Sequence, residues 1–409
     1  MKILHLIPYN PTPPTFGGAL RIYHLLKHNF ENHDLTVAGF DGGFGTEKMH
    51  ESFPGLDVSN LLKNNGKDYN KRLEQFKSMF SDSSHWFRKT RSENLQRILN
   101  ELTDKNDFDI VLTEFPALCQ FEIRSDAKKI MDAHNVEYDN LHRMYQVQKD
   151  PLKKLFYKRE YRKFKEQEIY HAGIQDALFT TSERDKNIFN SHLPDMPIHL
   201  IPNGVDMDFF SPVASDIEPH SLVFTGMMGY VPNYDGILYF IQDIMPMIMK
   251  KYPDLKLYVV GKNPPASIKE KASKNIIVTG FVDDVRPYVH RSSVYIVPLR
   301  SGGGTRLKVL EALSMKKPVV STAIGSEGID VIHDEHLKIA DDPQLFADYV
   351  IELMEDRKEA KRLSDNGYEL IDKRYKWESI GHRMEEAFNA VINVGANKDR
   401  SSKETILSV

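Results

Sequence analysis

Short β-rich runs alternate with helical stretches along almost the whole chain, and this alternation restricts the fold more than any other feature. Parallel strands need a crossover connection, usually a helix, so the pattern predicts parallel sheets covered by helices. The alternation occurs twice. The first series has candidate strands at Lys2–Pro8, Asp34–Phe40, Phe108–Glu114, Lys128–His134, Ala177–Ser182 and Ile198–Asn203. The second has candidate strands at Ser221–Gly226, Leu255–Gly261, Ile276–Phe281, Val294–Leu299 and Pro318–Thr322.

The two series predict an α/β protein with two facing Rossmann-like, doubly wound parallel-sheet domains, a number that also suits 409 residues. We expect an N-terminal domain at 1–205, with a polar and mostly helical insertion at about 44–101, and a second domain at 206–375. A helix at 376–392 is expected to pack back on the first domain, before a polar tail at 393–409. Ligands of such sheets bind outside the carboxyl ends of the strands, so the expected site is an interdomain cleft.

Charge and composition exclude several classes of function. The 54 Lys and Arg residues against 58 Asp and Glu residues give a net charge of −4, so no overall positive field favours nucleic acid. No apolar run approaches the ~18 residues of a transmembrane helix, and prolines follow the opening "MKILHLIP" at once, which favours a buried strand over a signal peptide. The single cysteine, Cys119, fits a reducing compartment and a core position. We expect a cytoplasmic protein, at most peripheral to the inner face of a membrane.

The segment "PLRSGGGTRLKVLEALSMKKPVVST" gives the strongest sign of a ligand site. Its glycines at 302–304 lie between a predicted strand and a predicted helix, where they allow positive φ and close approach to a ligand. Thr305 is the expected N-cap, and the amides of a helix start attract phosphate. Arg306 and Lys308 add positive charge, and Glu311 is placed for a pair of sugar hydroxyls. The alternative is a plain tight turn. A P-loop is absent, because no Gly-Lys precedes a Ser or Thr here, so ATPase chemistry is disfavoured.

Further pieces follow one another in a recognisable order: "FGGALRIYHLLKHN", "DAHNVEY", "FTTSERDKNIF", "IPNGVDMDFFSP", "FTGMMGYVPNYDGILYF", "LYVVGKNPP", "VTGFVDDVRPYVHRSSVYIVPL" and "LEALSMKKPVVST". In this order and spacing they resemble the family 4 glycosyltransferases, which have the two-domain GT-B fold. The resemblance covers the chain apart from about 44–100 and the tail. It implies transfer of a sugar, with retention, from a nucleotide diphosphate sugar to an acceptor hydroxyl, with no required metal or cofactor. By family association, the role is surface polysaccharide or glycolipid synthesis.

The resemblance also assigns roles to the glycine-rich segment. Glu311 matches the second of two family glutamates and is expected to grip the ribose hydroxyls. Gly303 stands at the position of the first glutamate, and Met227–Met228 stand where the family has an arginine. The chain thus looks like a branch carrying "GGGTRLK", in which we expect Arg306 to take over the diphosphate contact, with Lys308 as the second candidate. The other expected donor-binding residues are Gly17, Gly18, Gly226, Phe281, Val282, Gly303, Gly304, Thr305 and Leu307.

His134 ends a predicted strand of the first domain and is expected to be catalytic, because the family has a histidine here that contacts the donor sugar region. Asp132 and Glu137 are lesser candidates for orienting it or the acceptor. The alternative is a histidine satisfied within the core. Gly17 and Gly18 precede a helix predicted at about Ala19–Asn29. They indicate either a loop facing the donor phosphates or the acceptor, or a sharp turn; a spaced Gly-x-Gly-x-x-Gly is absent.

Two charged features have competing interpretations. Asp206 and Asp208 could be ligands of a metal ion, since carboxylates commonly bind the magnesium that accompanies a diphosphate. A turn at the domain junction is the preferred interpretation, and we expect no metal. The segment 149–165 is basic with interleaved apolar residues. It predicts either contact with an anionic membrane surface, near a lipid-linked acceptor, or a solvated helix face.

Two rival functions stay open. A GT-B sugar-nucleotide epimerase would act without an acceptor, and turnover with and without an acceptor separates it from a transferase. A sugar-nucleotide binding subunit without catalysis is favoured by Gly303, and binding without turnover would support it. The missing dinucleotide fingerprint disfavours an oxidoreductase.

Overall fold

The chain forms two compact units, each built on one parallel sheet. Unit 1 contains Met1–Pro202 together with Gly381 onward, and unit 2 contains Asn203–Ile380. The first junction lies at Pro202, a few residues before the predicted 205. The structure is a computed structural model that describes residues 1–63, 77–148, 150–214 and 216–406.

Unit 1 has its strands in the order β3-β2-β1-β4-β5-β6-β7, all parallel. They are β1 (Lys2–Ile7), β2 (Asp34–Phe40), β3 (Leu61–Leu62), β4 (Ile110–Glu114), β5 (Lys128–Ala133), β6 (Ala177–Thr180) and β7 (Ile198–Leu200). The helices are α1 (Gly17–Asn32), α2 (Glu47–Ser52), α3 (His85–Thr90), α4 (Glu93–Lys105), α5 (Glu137–Val147), α6 (Pro151–Gly173) and α7 (Glu183–His192). The order runs outward in opposite directions from β1 and β4, so these neighbours form the topological switch point.

Both faces of this sheet are covered, because successive side chains of a strand point to opposite faces. On β1, Leu4 and Leu6 pack with Leu95 and Leu99 of α4 on one face. Ile7 packs on the other face, with α1. The strand is therefore buried on both faces, and its sequence is a nearly continuous apolar run, as is usual for strands of parallel sheets.

Unit 2 has the strand order β10-β9-β8-β11-β12-β13, again parallel. They are β8 (Ser221–Thr225), β9 (Lys256–Val260), β10 (Ile276–Gly280), β11 (Val294–Val297), β12 (Val319–Ser321) and β13 (Lys338–Ile339). The helices are α8 (Val231–Tyr239), which continues as a π-helical turn (Phe240–Ile244), α9 (Met245–Met249), α10 (Ala266–Lys269), α11 (Arg286–Arg291), α12 (Leu307–Ser314), α13 (Pro343–Glu355) and α14 (Arg357–Arg374). The switch point here lies between β8 and β11, with one large core around the sheet.

The predicted α/β architecture with two doubly wound sheets is confirmed. Neither of the two-residue strands, β3 and β13, was predicted, because two residues are too few to show a periodic pattern. The insertion therefore also supplies an edge strand, and part of it lies outside the described residues. The last helix, α15 (Trp377–Ile406), continues beyond the predicted end at 392, because no proline interrupts the segment. Among the described residues, no helix is long and apolar enough to cross a membrane.

Candidate active site

In unit 2, the glycine-rich turn wraps around the side chain of Arg306. Gly302 and Gly304 have φ of +134° and +71°, a region that favours glycine. The buried guanidinium of Arg306 donates from Nη1 to the carbonyls of Gly303 and Gly304, and from Nε to the carbonyl of Ile324 at 3.0 Å. A Cβ at Gly302 would lie 3.2 Å from Arg306 Nη2. The glycines thus let the backbone close around an arginine, and Arg306 holds the shape of the loop.

The prediction that Thr305 caps the following helix is wrong. The helix α12 begins at Leu307, so Arg306 occupies the N-cap position, and no side chain of the described residues caps it. The Thr305 hydroxyl is buried and has no hydrogen-bond partner within the part of the chain that the structure describes. The amides of Leu307 and Val309 already donate to the carbonyls of Thr305 and Arg306, at 3.1 and 2.8 Å. The helix start therefore offers fewer unpaired amides to a phosphate than its sequence indicated.

Lys308 and Glu311 lie one turn apart on α12, both partly buried. Burial lowers the pKa of Lys308 to about 7; the charge of Glu311 opposes this shift and that of Arg306 adds to it. Burial also raises the pKa of Glu311 to about 7, against the effect of Lys308. Near neutral pH each group is therefore poised between its charged and neutral forms, a condition that a bound anion or hydroxyl pair would change.

Lys308 carries its positive charge to the loop that follows β8. Its Nζ donates to Oδ1 of Asn233 at 2.7 Å and lies 3.9 Å from the centroid of the Phe224 ring. A Cβ at Gly226, which has φ of +151°, would lie 2.9 Å from this Nζ. Because β8 and β11 are neighbours at the switch point, the loops after both strands meet at one edge of the sheet.

This location matters because the resemblance places an arginine shortly after β8, where the chain has methionines. Met228 is fully buried, and Met227 is 39% exposed. The carbonyl of Met227 accepts a 2.9 Å hydrogen bond from Nδ2 of Asn233. Asn233 therefore ties Lys308 to this loop, and the cation comes from α12 instead of the loop itself.

The other predicted residues of unit 2 lie farther from Lys308 or have structural partners. Phe281 is 70% exposed and Val282 is partly buried; both follow β10, which β9 separates from β8. Leu307 packs against the core of the unit. The Oδ1 of Asp206 accepts the amides of Asp208 and Phe209 at 3.1 and 2.9 Å. This pattern agrees with the preferred interpretation of Asp206 as a turn residue.

In unit 1, Gly17 and Gly18 form the first turn of α1, which begins earlier than the predicted Ala19. A Cβ at Gly18 would lie 2.5 Å from Tyr9 Oη and 3.6 Å from Nδ1 of His134. The missing side chain therefore leaves space between a phenol and an imidazole. Burial raises the pKa of the Tyr9 phenol, as do the charges of Glu114 and Glu137, so Tyr9 acts as a neutral hydrogen-bonding group.

His134 belongs to a buried polar network at the carboxyl ends of the central strands. Its Nε2 lies 2.6 Å from Oε2 of Glu114, and Nε2 of His5 lies 2.7 Å from Oε1 of the same carboxylate. Asp132 accepts two hydrogen bonds from Arg21, at 2.8 Å from Nε and 2.7 Å from Nη2. Burial opposes ionisation of Glu114, but the hydrogen bonds and charges of the two histidines outweigh it and lower the pKa of this carboxyl.

Glu114, Asp132 and His134 are also the group among the described residues whose ligand atoms could hold a metal, all within 4.8 Å of one another. The paired hydrogen bonds between Arg21 and Asp132 do not fit a metal there, because a cation would have to displace the guanidinium. Glu137 begins α5, and its backbone amide donates to the buried Glu168 at 3.0 Å. Burial raises the pKa of the Glu137 carboxyl, which Asn135 and His134 partly offset.

The basic segment 149–165 falls mainly on α6; residue 149 lies outside the described residues. One face of the helix is anchored: Phe164 is buried, and Glu160 accepts the amide of His85 at 2.8 Å. The other face is open, with Leu152 78% and Leu155 44% exposed among basic side chains. Over its whole length, however, basic and apolar side chains alternate around α6 and do not form two separate faces, so the predicted amphipathic character is wrong for the helix as a whole.

Residues 219–356 match a family model described as glycosyl transferases group 1. The matched range lies within unit 2. This match supports glycosyl transfer as the activity. A relative from Klebsiella pneumoniae, described as an uncharacterized 44.6 kDa protein in the cps region, is 27% identical over 399 residues, which cover 91% of this chain and 96% of the relative.

Solved glycosyltransferase structures share the fold. Sucrose-phosphate synthase from Thermosynechococcus elongatus aligns with a TM-score of 0.71 and 15% identity, over 96% of this chain and 100% of that one. Alr3699/HepE from Anabaena, in complex with UDP, aligns with a TM-score of 0.68 and 13% identity, over 95% and 100%. Together with the two parallel sheets, these similarities confirm the predicted two-domain GT-B fold.

The matched range 219–356 contains Gly226, Asn233 and Lys308, which the structure brings together, and Glu311, which lies one turn from Lys308 on α12. Sequence reasoning missed Asn233, although it lies in a quoted motif, because nothing local shows that an asparagine will meet a lysine 75 positions away. In unit 1 it missed Tyr9, His5 and Glu114. A signal for Glu114 was present, since it ends a predicted strand, and the carboxyl ends of central strands are where ligands bind.

Proposed function

We propose that the protein is a retaining glycosyltransferase that moves a sugar from a nucleotide diphosphate sugar to an acceptor hydroxyl. The observation that carries the proposal is Lys308 beside Gly226 at the switch point of unit 2, with Glu311 one turn away on the same helix, inside the range that matches the glycosyltransferase family model. Lys308 can bind a diphosphate and Glu311 the hydroxyls of a ribose. Ligand binding would favour the charged form of each group.

Lys308 is the proposed direct contact of the diphosphate. In a partly buried place, an ammonium stabilises the charge that develops on the leaving phosphate more strongly than it would in water. Arg306 is proposed to act mainly through the loop, because its donors already bond the carbonyls of Gly303, Gly304 and Ile324. A direct phosphate contact by Arg306 remains a prediction of the resemblance.

Retention follows from the resemblance, and the proposed step fits the residues present. The acceptor hydroxyl attacks the anomeric carbon on the face from which the diphosphate leaves. Its proton passes to the departing phosphate oxygen, and the sugar–phosphate bond breaks as the new glycosidic bond forms. We assign His134 and Glu137 of unit 1 to binding sugar or acceptor hydroxyls. This step needs no metal, and activity in the presence of EDTA tests that.

UDP-glucose is the first donor to test, because Alr3699/HepE was solved with UDP-glucose. The full chain is incubated with UDP-, GDP- and ADP-sugars, with and without oligosaccharide and lipid-linked acceptors. Release of the nucleoside diphosphate that depends on an acceptor supports the proposal, and NMR of the new anomeric linkage tests retention. Turnover without an acceptor would favour the epimerase. Tight binding of a donor without any turnover would favour a binding subunit.

The K. pneumoniae relative is named for a cps region, and this supports a role in surface polysaccharide or glycolipid synthesis. Peripheral membrane contact through α6 is part of the same proposal. Sedimentation with anionic and neutral phospholipid vesicles tests it, comparing wild type with Leu152→Ser and Leu155→Ser. Binding to anionic vesicles that both substitutions weaken supports this contact; equal binding to both vesicle types, or none, contradicts it.

A further inference from the structure

The buried carboxylate of Glu114 lies between two histidines that belong to different strands. His5 is on β1, Glu114 ends β4, and His134 follows β5, and these strands are adjacent in the sheet. His5 pairs in register with Leu112, and Glu114 with Asp132. Because alternate residues share a face, His5, Glu114 and Asp132 all point to the face covered by α1. The contact is therefore built by strand order and register.

The chemistry of this contact fixes which nitrogen of each ring carries a proton. An ionised carboxylate only accepts hydrogen bonds. Both Nε2 atoms lie within 2.7 Å of it, so both must donate to it. The Nδ1 of His5 is buried and has no hydrogen-bond partner among the described residues. The geometry therefore requires a proton on Nε2 of His5 as well as on Nε2 of His134.

His134 differs from His5 in what its Nδ1 faces. This atom lies 3.6 Å from where a Cβ of Gly18 would be, in the space that the glycine leaves open. The ring of Phe115, which directly follows Glu114, packs on His134 with centroids 4.1 Å apart. Phe115 has φ of +65°, a conformation that a bulky residue seldom adopts. The imidazole is thus held at Nε2 and on one face, and Nδ1 is left for a ligand.

We propose that Glu114 is the positioning residue of unit 1, which holds His134 with its proton on Nε2 so that Nδ1 can bind a sugar or acceptor hydroxyl. His5 acts as the second donor that keeps the carboxylate in place. The pair of Arg21 and Asp132 lies beside it; Nε2 of His134 is 3.8 Å from Oδ2 of Asp132. The identity of the ligand in this inference rests on the proposed function. The positions of the protons on His5 and His134 do not depend on it.

The first experiment is NMR of the wild-type chain labelled with 15N-histidine, which reports directly which ring nitrogens carry protons. Signals of His5 and His134 are assigned from His5→Gln and His134→Gln. A proton on Nε2 of both rings is expected. A bare Nε2 on His134 would overturn the proposal, and this result needs no variant of Glu114 and no enzymatic activity.

The second experiment uses Glu114→Gln, whose amide cannot accept from both rings, so one histidine must move its proton to Nδ1. We expect turnover to fall about 10- to 100-fold, as for other groups that orient a functional histidine, while UDP affinity in unit 2 stays unchanged. The control, Asp109→Asn, makes the same chemical change at the other, exposed end of the strand. Unchanged histidine protonation and turnover in a folded Glu114→Gln protein would reject the role of Glu114. Absence of turnover in wild type would instead reject the proposed function.

Discussion

The ammonium of Lys308 donates a 2.7 Å hydrogen bond to Asn233 Oδ1, and this bond joins α12, the helix after β11, to α8, the helix that follows the β8 loop. It brings a positive charge to the place where the resemblance puts an arginine and the chain has Met227–Met228.

Affinity for UDP should fall as the pH rises above about 7. Bound phosphate favours the charged form of Lys308, so binding above that pKa requires uptake of a proton. We expect up to about a tenfold loss per pH unit, the limit for one proton. Calorimetric titration at pH 7, 8 and 9 measures it. Lys308→Arg should show no such decline, because arginine stays charged. An equal slope in both proteins would rule out Lys308 as the titrating group.

Glu311→Gln should weaken UDP binding and yet raise the melting temperature at pH 8. The pKa of Glu311 in the folded protein is about 7, above its ordinary value. Its contribution to stability is therefore full below pH ~4.5 and is lost as the pH rises through 7. The gain from the amide should be absent at pH 5, where wild-type Glu311 is protonated. Thermal unfolding at both values tests this, with the exposed Glu270→Gln as control; a gain of equal size at both would contradict it.

Arg306→Lys should destabilise unit 2 and also weaken donor binding. An ammonium cannot reproduce the fork that reaches the carbonyls of Gly303, Gly304 and Ile324. Losing hydrogen bonds from a charged group costs about 1.5–3 kcal/mol, measurable by urea unfolding. The matched control is Arg300→Lys, whose side chain is half exposed in a pair with Asp235, and it should change stability by less than about 1 kcal/mol. Equal effects of the two substitutions would count against a loop-organising role.

Gly18→Ala should reduce turnover, and Tyr9→Phe in the same chain should restore part of it. The new methyl group would lie 2.5 Å from Tyr9 Oη, closer than atoms can approach, so the phenol must move away from it. Removing the hydroxyl relieves that contact. Kinetics of the two single variants and the double variant form a mutant cycle. Additive losses would show that Gly18 and Tyr9 do not interact.

Phe388→Ala should destabilise unit 1 by about 3–5 kcal/mol, the usual cost of deleting a buried aromatic side chain. Phe388 of α15 is fully buried and stacks on Phe179 of β6, with centroids 5.7 Å apart. Urea unfolding measures the loss, and Glu386→Ala on the exposed side of the same helix is the control. A small loss for Phe388→Ala would mean that α15 adds little to this core.

The sequence alone determined the architecture. Local patterns of apolar and polar residues specify where strands and helices alternate, and continuous apolar runs mark the buried parallel strands. It also located the glycine-rich turn, Lys308, Glu311 and His134. Only the tertiary structure decided what these residues do to one another. In the folded protein, the guanidinium of Arg306 bonds the carbonyls of the glycine-rich loop. Lys308 bonds Asn233, and Glu114 lies between His5 and His134. Such contacts depend on strand order and register, which join residues up to 109 positions apart, and no local pattern specifies which side chains then meet.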